Sequence, residues 1–265
     1  MKEETLKALL EGCSLGQNLI LLDEVDSTNS YLKREAKHLP AGTVCIADSQ
    51  TGGRGRMGRG FQSPAGKGLY CSLLLRPELA PAEAVNFTAY AAIAVCGGVE
   101  AVTGCRPQIK WTNDIVLKGK KICGVLTEMT IGPGAALEHL VLGFGLNVSQ
   151  RPEDWPEDLR KIGGSLEELL PGTFSREELA AAILREVEKI YHNFISGKLD
   201  GCLEQYRADC LTLGREVRLV DGNREALAFA EEIDRDFGLV VRYPDGRRET
   251  VRSGEVSVRG LYGYL

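Results

Sequence analysis

Nothing in this sequence approaches about 18 uninterrupted apolar residues, so no membrane span is expected. The first residues, MKEETLKALLEGC, carry acids where a secretory leader carries basic groups, and their apolar stretch is broken. A cytoplasmic protein is therefore expected. The eight cysteines form no C-x-x-C pair, which argues against a zinc site and against a secreted disulfide framework. Most of them are expected to be small buried hydrophobes in a reducing compartment. The three histidines, His38, His139 and His192, are scattered. They join no Ser or Cys constellation, so neither a nucleophilic triad nor a three-ligand metal site is expected. Net positive charge is also missing. At −5 and a pI near 5.5, broad nucleic-acid binding is disfavoured. No internal repeat or low-complexity tract is present, and 265 residues suit one large domain or a medium domain with a small appendage.

What is present is a concentrated, local positive charge. GGRGRMGRGFQSPAGKGLY, Gly52 to Tyr70, holds seven glycines, three arginines and one lysine, and no acid. Glycine lets a backbone approach a ligand closely and expose its N–H groups. Arg54, Arg56 and Arg59 add guanidinium forks suited to carboxylate or phosphate. The segment is not a P-loop, because G-x-x-x-x-G-K-[ST] is absent. It is not a dinucleotide fingerprint either, because a strand follows where a helix would open. An anion site is the reading favoured by three crowded like charges, and a solvated mobile loop is the alternative.

KWTNDIVLKGKKICG, Lys110 to Gly124, places Lys110, Asn113, Asp114 and Lys121 at the end of one strand and along the next. An Asp beside lysines can orient them or meet a magnesium ion carried by a nucleotide. An ordinary charged hairpin with Trp111 in the core is the alternative. DSTN, Asp26 to Asn29, reads first as a helix cap. GFGLN, Gly143 to Asn147, is a glycine-containing strand end, where ligands often sit in α/β proteins. Cations, glycine N–H donors and one Asp suit activation of a carboxylate by ATP, which needs charge neutralisation and alignment more than a protein nucleophile. Composition does not name the carboxylate.

The element pattern is mixed. Strands are expected at Leu19–Leu22, Thr43–Gln50, Leu69 onward, around Ile109, and through LEHLVLGFGLNVS. A hairpin with Lys118-Gly119-Lys120 at its tip lies between the last two. A buried, alanine-rich helix is expected from Asn86, and residues 149–173 are loop-rich. SREELAAAILREVEKIYHNFI repeats Leu179, Ile183, Val187, Ile190 and Phe194 at helical spacing, with Ser175 and Glu178 as a capping box. From about Arg215 the texture changes to five short alternating segments, REVRLV, EALAFAEEI, FGLVVRY, ETVRS and EVSVRG, with DGN and PDG as turn signals. A small β-barrel is expected there, with domains at 1–214 and 215–265.

Together, Ser27-Thr28-Asn29, Gln50-x-x-Gly53-Arg54-Gly55-Arg56-x-Gly58-Arg59, Ser63-Pro64, Leu69-Tyr70, Lys110-Trp111-x-Asn113-Asp114, Lys121-x-x-Gly124 and Gly145-x-Asn147 closely resemble the biotin–protein ligases. The closing GEVSVRG resembles that family's C-terminal barrel, and the likeness covers about residues 19–265. The resemblance implies an α+β fold: a central mixed sheet with packed helices in a class II synthetase-like catalytic domain, plus a small C-terminal SH3-like β-barrel. It implies a ligase that makes biotinyl-5′-AMP from biotin and Mg-ATP. Biotin then passes to a lysine of a biotin carboxyl carrier domain of a biotin-dependent carboxylase.

By motif match, Ser27, Thr28, Asn29, Gln50, Gly53, Phe61 and Gly124 would belong to the biotin side. Arg54, Gly55 and Arg56 would enclose the biotin tail and acyl phosphate, and Lys121 would contact the activated carboxylate. Lys121, Arg56 and Arg54 would be the catalytic groups. Arg59, Lys110, Trp111, Asn113, Asp114 and Asn147 would face the nucleotide. Two positions depart from the family pattern: Thr112 stands where proline is common and Phe61 where tryptophan is common. About 18 residues precede the first strand, fewer than a DNA-binding helix-turn-helix needs, so no DNA binding is expected. A sheet-edge homodimer is compatible with the resemblance. A lipoate or octanoate ligase or transferase is the rival reading. A non-transferring ligand-binding regulator and a nucleic-acid-binding protein are weaker ones.

Overall fold

A computed structural model describes residues 1–221, 224–252 and 257–260. Seven strands form the main sheet: β1 (Leu19–Val25), β2 (Val44–Gln50), β3 (Gly68–Leu75), β4 (Gln108–Lys110), β5 (Asp114–Leu117), β6 (Lys120–Ile131) and β7 (Leu137–Asn147). Their order is β1-β2-β3-β7-β6-β5-β4. β1 runs parallel to β2 and every other pair is antiparallel, so the sheet is mixed, as expected. β1 continues three residues past Leu22, because Glu24 and Val25 keep pairing with Ser49 and Gln50.

Eight α-helices accompany this sheet among the described residues: α1 (Glu3–Leu9), α2 (Thr28–Glu35), α3 (Pro81–Ala84), α4 (Phe87–Thr103), α5 (Glu157–Arg160), α6 (Leu166–Leu169), α7 (Arg176–Ile195) and α8 (Cys202–Asp209). α2 starts where Ser27, itself extended, accepts a bond from the Ser30 amide. α4 ends at Gly104, which takes the left-handed conformation that closes a helix. α7 buries all five residues of its expected stripe, and Ser175 accepts from the Glu178 amide at its start. Small residues let α4 and α7 approach closely: a Cβ at Gly98 would lie 2.5 Å from Ile183 Cα. Pro81–Thr103 is long and apolar enough by composition to cross a bilayer. Uninterrupted runs alone did not show this. Most of it is buried in the protein, packed on α7 and on the strands β4 to β6.

The 118–119 turn has φ of 47° at Lys118 and 78° at Gly119, a two-residue hairpin link of the kind that matches strand twist. Lys120 already belongs to β6. The loop-rich 149–173 segment carries the two single-turn helices α5 and α6.

The second sheet has five antiparallel strands, β8 (Glu216–Asp221), β9 (Arg224–Ile233), β10 (Leu239–Arg242), β11 (Arg248–Val251) and β12 (Ser257–Gly260), in the order β11-β10-β9-β8-β12. The PDG signal is a tight turn, with Gly246 at φ 87° and its amide bonded to the Tyr243 carbonyl. Most of the DGN turn signal, the last residue of ETVRS and the start of GEVSVRG lie outside the described residues.

The two sheets share one apolar core. Phe237, in the turn before β10, packs its ring against Tyr90 at 4.8 Å and Tyr206 at 5.1 Å. Its carbonyl accepts the Trp111 indole N–H at 2.9 Å. Trp111 is thus buried, as the charged-hairpin reading expected, and it bonds to the second sheet.

Candidate active site

A cavity of about 490 Å³ lies where the glycine loop, the start of α2 and strands β4 to β7 meet. Of the residues singled out by sequence, Ser27, Thr28, Asn29, Gln50, Arg54, Gly55, Arg56, Arg59 and Phe61 line it. So do Lys110, Trp111, Asn113, Asp114, Lys121, Gly124 and Asn147. Gly53 stands behind that wall. Its carbonyl accepts the Phe61 amide at 2.9 Å, and a Cβ on it would fall 2.4 Å from the Phe61 carbonyl oxygen. Its missing side chain serves the turn of the loop.

The glycine loop folds on itself. Arg54 and Gly60 bridge as a short antiparallel pair, and the Gly55 amide bonds to the Arg59 carbonyl at 2.7 Å. Met57 and Gly58 turn the chain with φ of 56° and 72°. Phe61 then lies over the sheet, where glycines make room for it. A Cβ at Gly145 would meet its ring at 2.5 Å, and Gly124 pairs with Gly145 on the neighbouring strand.

One end of the cavity is lined by neutral polar groups, with the Arg54 guanidinium at its edge, 3.5 Å from Ser30 Oγ and 3.8 Å from Glu128 Oε1. Gln50 Oε1 accepts from the Thr28 amide at 2.9 Å and lies 3.2 Å from the Thr28 hydroxyl. Gln50 Nε2 donates to Ser63 Oγ at 2.8 Å. Behind the wall, Ser72 Oγ sits 2.7 Å from Thr28 Oγ1 and 2.6 Å from Asn29 Oδ1. Asn29 Nδ2 donates to Glu128 Oε2 at 3.0 Å, and Lys33 Nζ donates to Glu128 Oε1 at 2.9 Å. Burial pushes the Glu128 carboxyl up, but the bonds from Lys33 and Asn29 outweigh it and hold the group below the usual carboxylate range. Asn29 fits this pocket closely: a Cβ at Gly143 would overlap its amide oxygen.

The other end is charged. Arg56 leaves the loop and donates to Thr112 Oγ1 at 3.2 Å and Asn113 Oδ1 at 3.0 Å. Burial lowers its guanidinium pKa, and the nearby Asp114 carboxylate opposes that shift. Lys121 Nζ and Asp114 Oδ1 form an ion pair at 2.5 Å. The Lys121 backbone is held on both sides, its amide by the Ile162 carbonyl at 2.8 Å and its carbonyl by the Gly164 amide at 3.0 Å. Asn147 Nδ2 donates to the Gly164 carbonyl at 2.9 Å. Thr112 follows a cis peptide bond from Trp111, at the position where the family pattern has proline. Its carbonyl accepts from the buried Tyr206 hydroxyl at 2.8 Å.

The structure adds wall residues that sequence reasoning missed. Trp155, Leu159, Ile162 and Gly163 come from the loop-rich segment, and Val258 comes from β12 of the second sheet. The Trp155 indole is buried, with no partner for its Nε1 among the described residues. A tryptophan between Pro152 and Pro156 in an otherwise polar loop was the available signal. Among the described residues no three His, Cys, Asp or Glu side chains converge as metal ligands.

The biotin/lipoate A/B protein ligase family matches residues 21–147, and the biotin protein ligase C-terminal domain matches residues 212–259. The biotin–[acetyl-CoA-carboxylase] ligase of Mycobacterium tuberculosis is 32% identical over 264 residues, 97% of this chain and 95% of that one. This chain belongs to the biotin protein ligase family. The family's bifunctional ligase/repressor BirA of Bacillus subtilis is 32% identical over 247 residues, 93% of this chain and 76% of that protein. Among solved biotin protein ligases, the Aquifex aeolicus enzyme in complex with biotin and ATP superposes with a TM-score of 0.79 at 30% identity. That match covers 92% of this chain and 99% of that one. The seven-stranded mixed sheet with its helices, followed by a smaller antiparallel sheet, is the biotin protein ligase fold.

Proposed function

We propose that this chain activates biotin with ATP and transfers it to a lysine of a biotin carboxyl carrier domain. The observation that carries the reading is one continuous cavity with neutral polar groups at Thr28 and Gln50 at one end and a charged end at Arg56, Lys121 and Asp114. Biotin has that polarity, a ureido ring at one end of an aliphatic tail and a carboxylate at the other. The ring would meet Ser27, Thr28 and Gln50, and Phe61 and Gly124 would flank the tail. The carboxylate would come to Lys121 and Arg56. The nucleotide would occupy the remaining volume, its base against the apolar wall of Trp155, Leu159 and Ile162. Lys110, Asn113, Arg59 and Asn147 would face its sugar and phosphates.

A magnesium ion would arrive on the ATP phosphates, with Asp114 as the carboxylate of the wall that can meet it. It would supply charge neutralisation on those phosphates. In the first half-reaction a biotin carboxylate oxygen attacks the α-phosphorus, and the bond to the β-phosphate oxygen breaks. Biotinyl-5′-AMP forms and pyrophosphate leaves. In the second, an acceptor lysine amine attacks the acyl carbon. The acyl–phosphate bond breaks, AMP leaves, and the amine releases a proton.

The chain supplies alignment and charge to both steps. Lys121, held at its backbone on both sides, offers a positioned cation to the activated carboxylate. Arg56, already half-buried, loses little further hydration when an anion replaces part of its present bonding. The glycine loop and Phe61 cover the reactive intermediate and exclude water.

Pyrophosphate exchange into ATP tests the first half-reaction, comparing biotin, lipoate, octanoate and no acid. Exchange with biotin alone is expected. Exchange with lipoate or octanoate alone would move the chain to the lipoate branch of the family, and no exchange with any acid would remove the ligase reading. Transfer of labelled biotin to a purified carrier domain, lost when its lysine is replaced by arginine, tests the second. The division at residues 1–214 and 215–265, a cytoplasmic location, and a homodimer are further parts of this proposal.

A further inference from the structure

The geometry points to Glu128 as a positioning residue that sets the direction of the hydrogen bonds at the ring end of the cavity, although it does not line the cavity itself. The inference rests on the biotin reading and deepens it. A carboxylate only accepts, so the Asn29 amide must turn its Nδ2 toward Glu128 and its Oδ1 toward Ser72. Ser72 is fully buried and has one hydroxyl proton, which the 2.6 Å contact to Asn29 Oδ1 consumes. The 2.7 Å contact between Ser72 and Thr28 still needs a proton between its two oxygens, and Thr28 supplies it there rather than to Gln50 Oε1, which lies farther off at 3.2 Å. Every donor therefore points one way, from Thr28 to Ser72 to Asn29 to Glu128, and the chain ends on an anion.

The consequence lies at the wall. Thr28 has no hydroxyl proton left for a ligand and presents lone pairs only. Gln50 Oε1 already accepts the Thr28 amide. A ring N–H fits this end and a ring acceptor does not. The cyclic urea of biotin carries two such N–H groups. Lys33 at 2.9 Å and the Arg54 guanidinium at 3.8 Å hold the other carboxylate oxygen and complete the anchor.

In Glu128→Gln, Lys33 demands the amide oxygen, which leaves the new Nε2 facing Asn29. Asn29 then turns over, Ser72 donates to Thr28, and the chain runs backwards.

The test compares biotin with the two analogues in which one ureido N–H is replaced by a ring oxygen, using pyrophosphate exchange by the whole chain. The unmodified protein is expected to favour biotin by at least about 100-fold in kcat/KM over one analogue, because a site built for a donor rejects its replacement. Glu128→Gln is expected to raise KM for biotin by about tenfold or more with kcat within about threefold, and to shrink that preference to a few-fold. Ser72→Ala cuts the chain in the middle and should act alike, so it carries the test if Glu128→Gln fails to fold. Lys33→Gln leaves the anion in place and should keep the preference. Unchanged discrimination in both Glu128→Gln and Ser72→Ala would overturn the proposal, as would an equal loss of kcat for every acid. Failure of the unmodified protein to use biotin at all would instead overturn the functional reading, and the proposal with it.

Discussion

Arg56 shows how one side chain joins two parts of the site. It starts in a glycine loop and ends on the Thr112 and Asn113 side chains of the turn that links β4 to β5. With an adenylate present, the same guanidinium would hold both the loop and the phosphate. Arg56→Gly removes those charge-assisted bonds and adds backbone freedom. Release of the adenylate is expected to quicken by about 10- to 100-fold, the scale of one or two hydrogen bonds to a charged group. Gel filtration of the enzyme loaded with labelled biotin and ATP reads this directly, and retention equal to the parent would remove the role. Lys121 and Asp114 differ in that their cation and anion are already paired. On the proposed reading they contribute orientation, so their loss should fall on the chemical step more than on retention.

At the scale of elements, the contact of α4 with α7 depends on Gly98. A methyl group there meets Ile183 backbone at 2.5 Å, which no side-chain rotation relieves. Gly98→Ala is expected to cost about 1–3 kcal/mol of stability by overpacking, read as a lower urea midpoint with an unchanged slope. Much at this scale was legible from the chain. The stripe on α7, the Ser27 cap, the 118–119 turn and the five short closing strands are local patterns, and local patterns survive in one dimension. The site was legible where its residues sit in motifs such as Gly53–Arg59 or Lys110–Asp114. It was not legible where the fold alone brings a residue in. Ser72 is one polar residue inside the apolar strand β3, and Glu128 is an unremarked acid on β6. Trp155 and Val258 arrive from a loop and from the second sheet. Beyond the lone tryptophan between two prolines, nothing near them in sequence says that they share a cavity with Ser27.

For the whole molecule, the described cysteines are unpaired and most are buried. Burial pushes the Cys45 thiol up to about 12, and pushes Cys71, Cys96 and Cys123 up as well. An unfolded chain loses these protons near the ordinary thiol value of 9.0, while the folded chain keeps them. Between those limits the unfolded state binds fewer protons, so stability falls as pH rises through the window. The urea midpoint should be lower at about pH 10 than at about pH 7.5, and reductant should leave it unchanged at neutral pH. Trp111 reaches across the molecule in a different way. It stands in the cavity wall and donates its indole proton to Phe237, at the turn that starts β10. Whatever steadies Trp111 steadies that turn, so the second sheet acts as a reporter for the first. The amide protons of Leu239 and Val241 should exchange with solvent more slowly once biotin and ATP are bound, a signal from a strand that touches neither ligand.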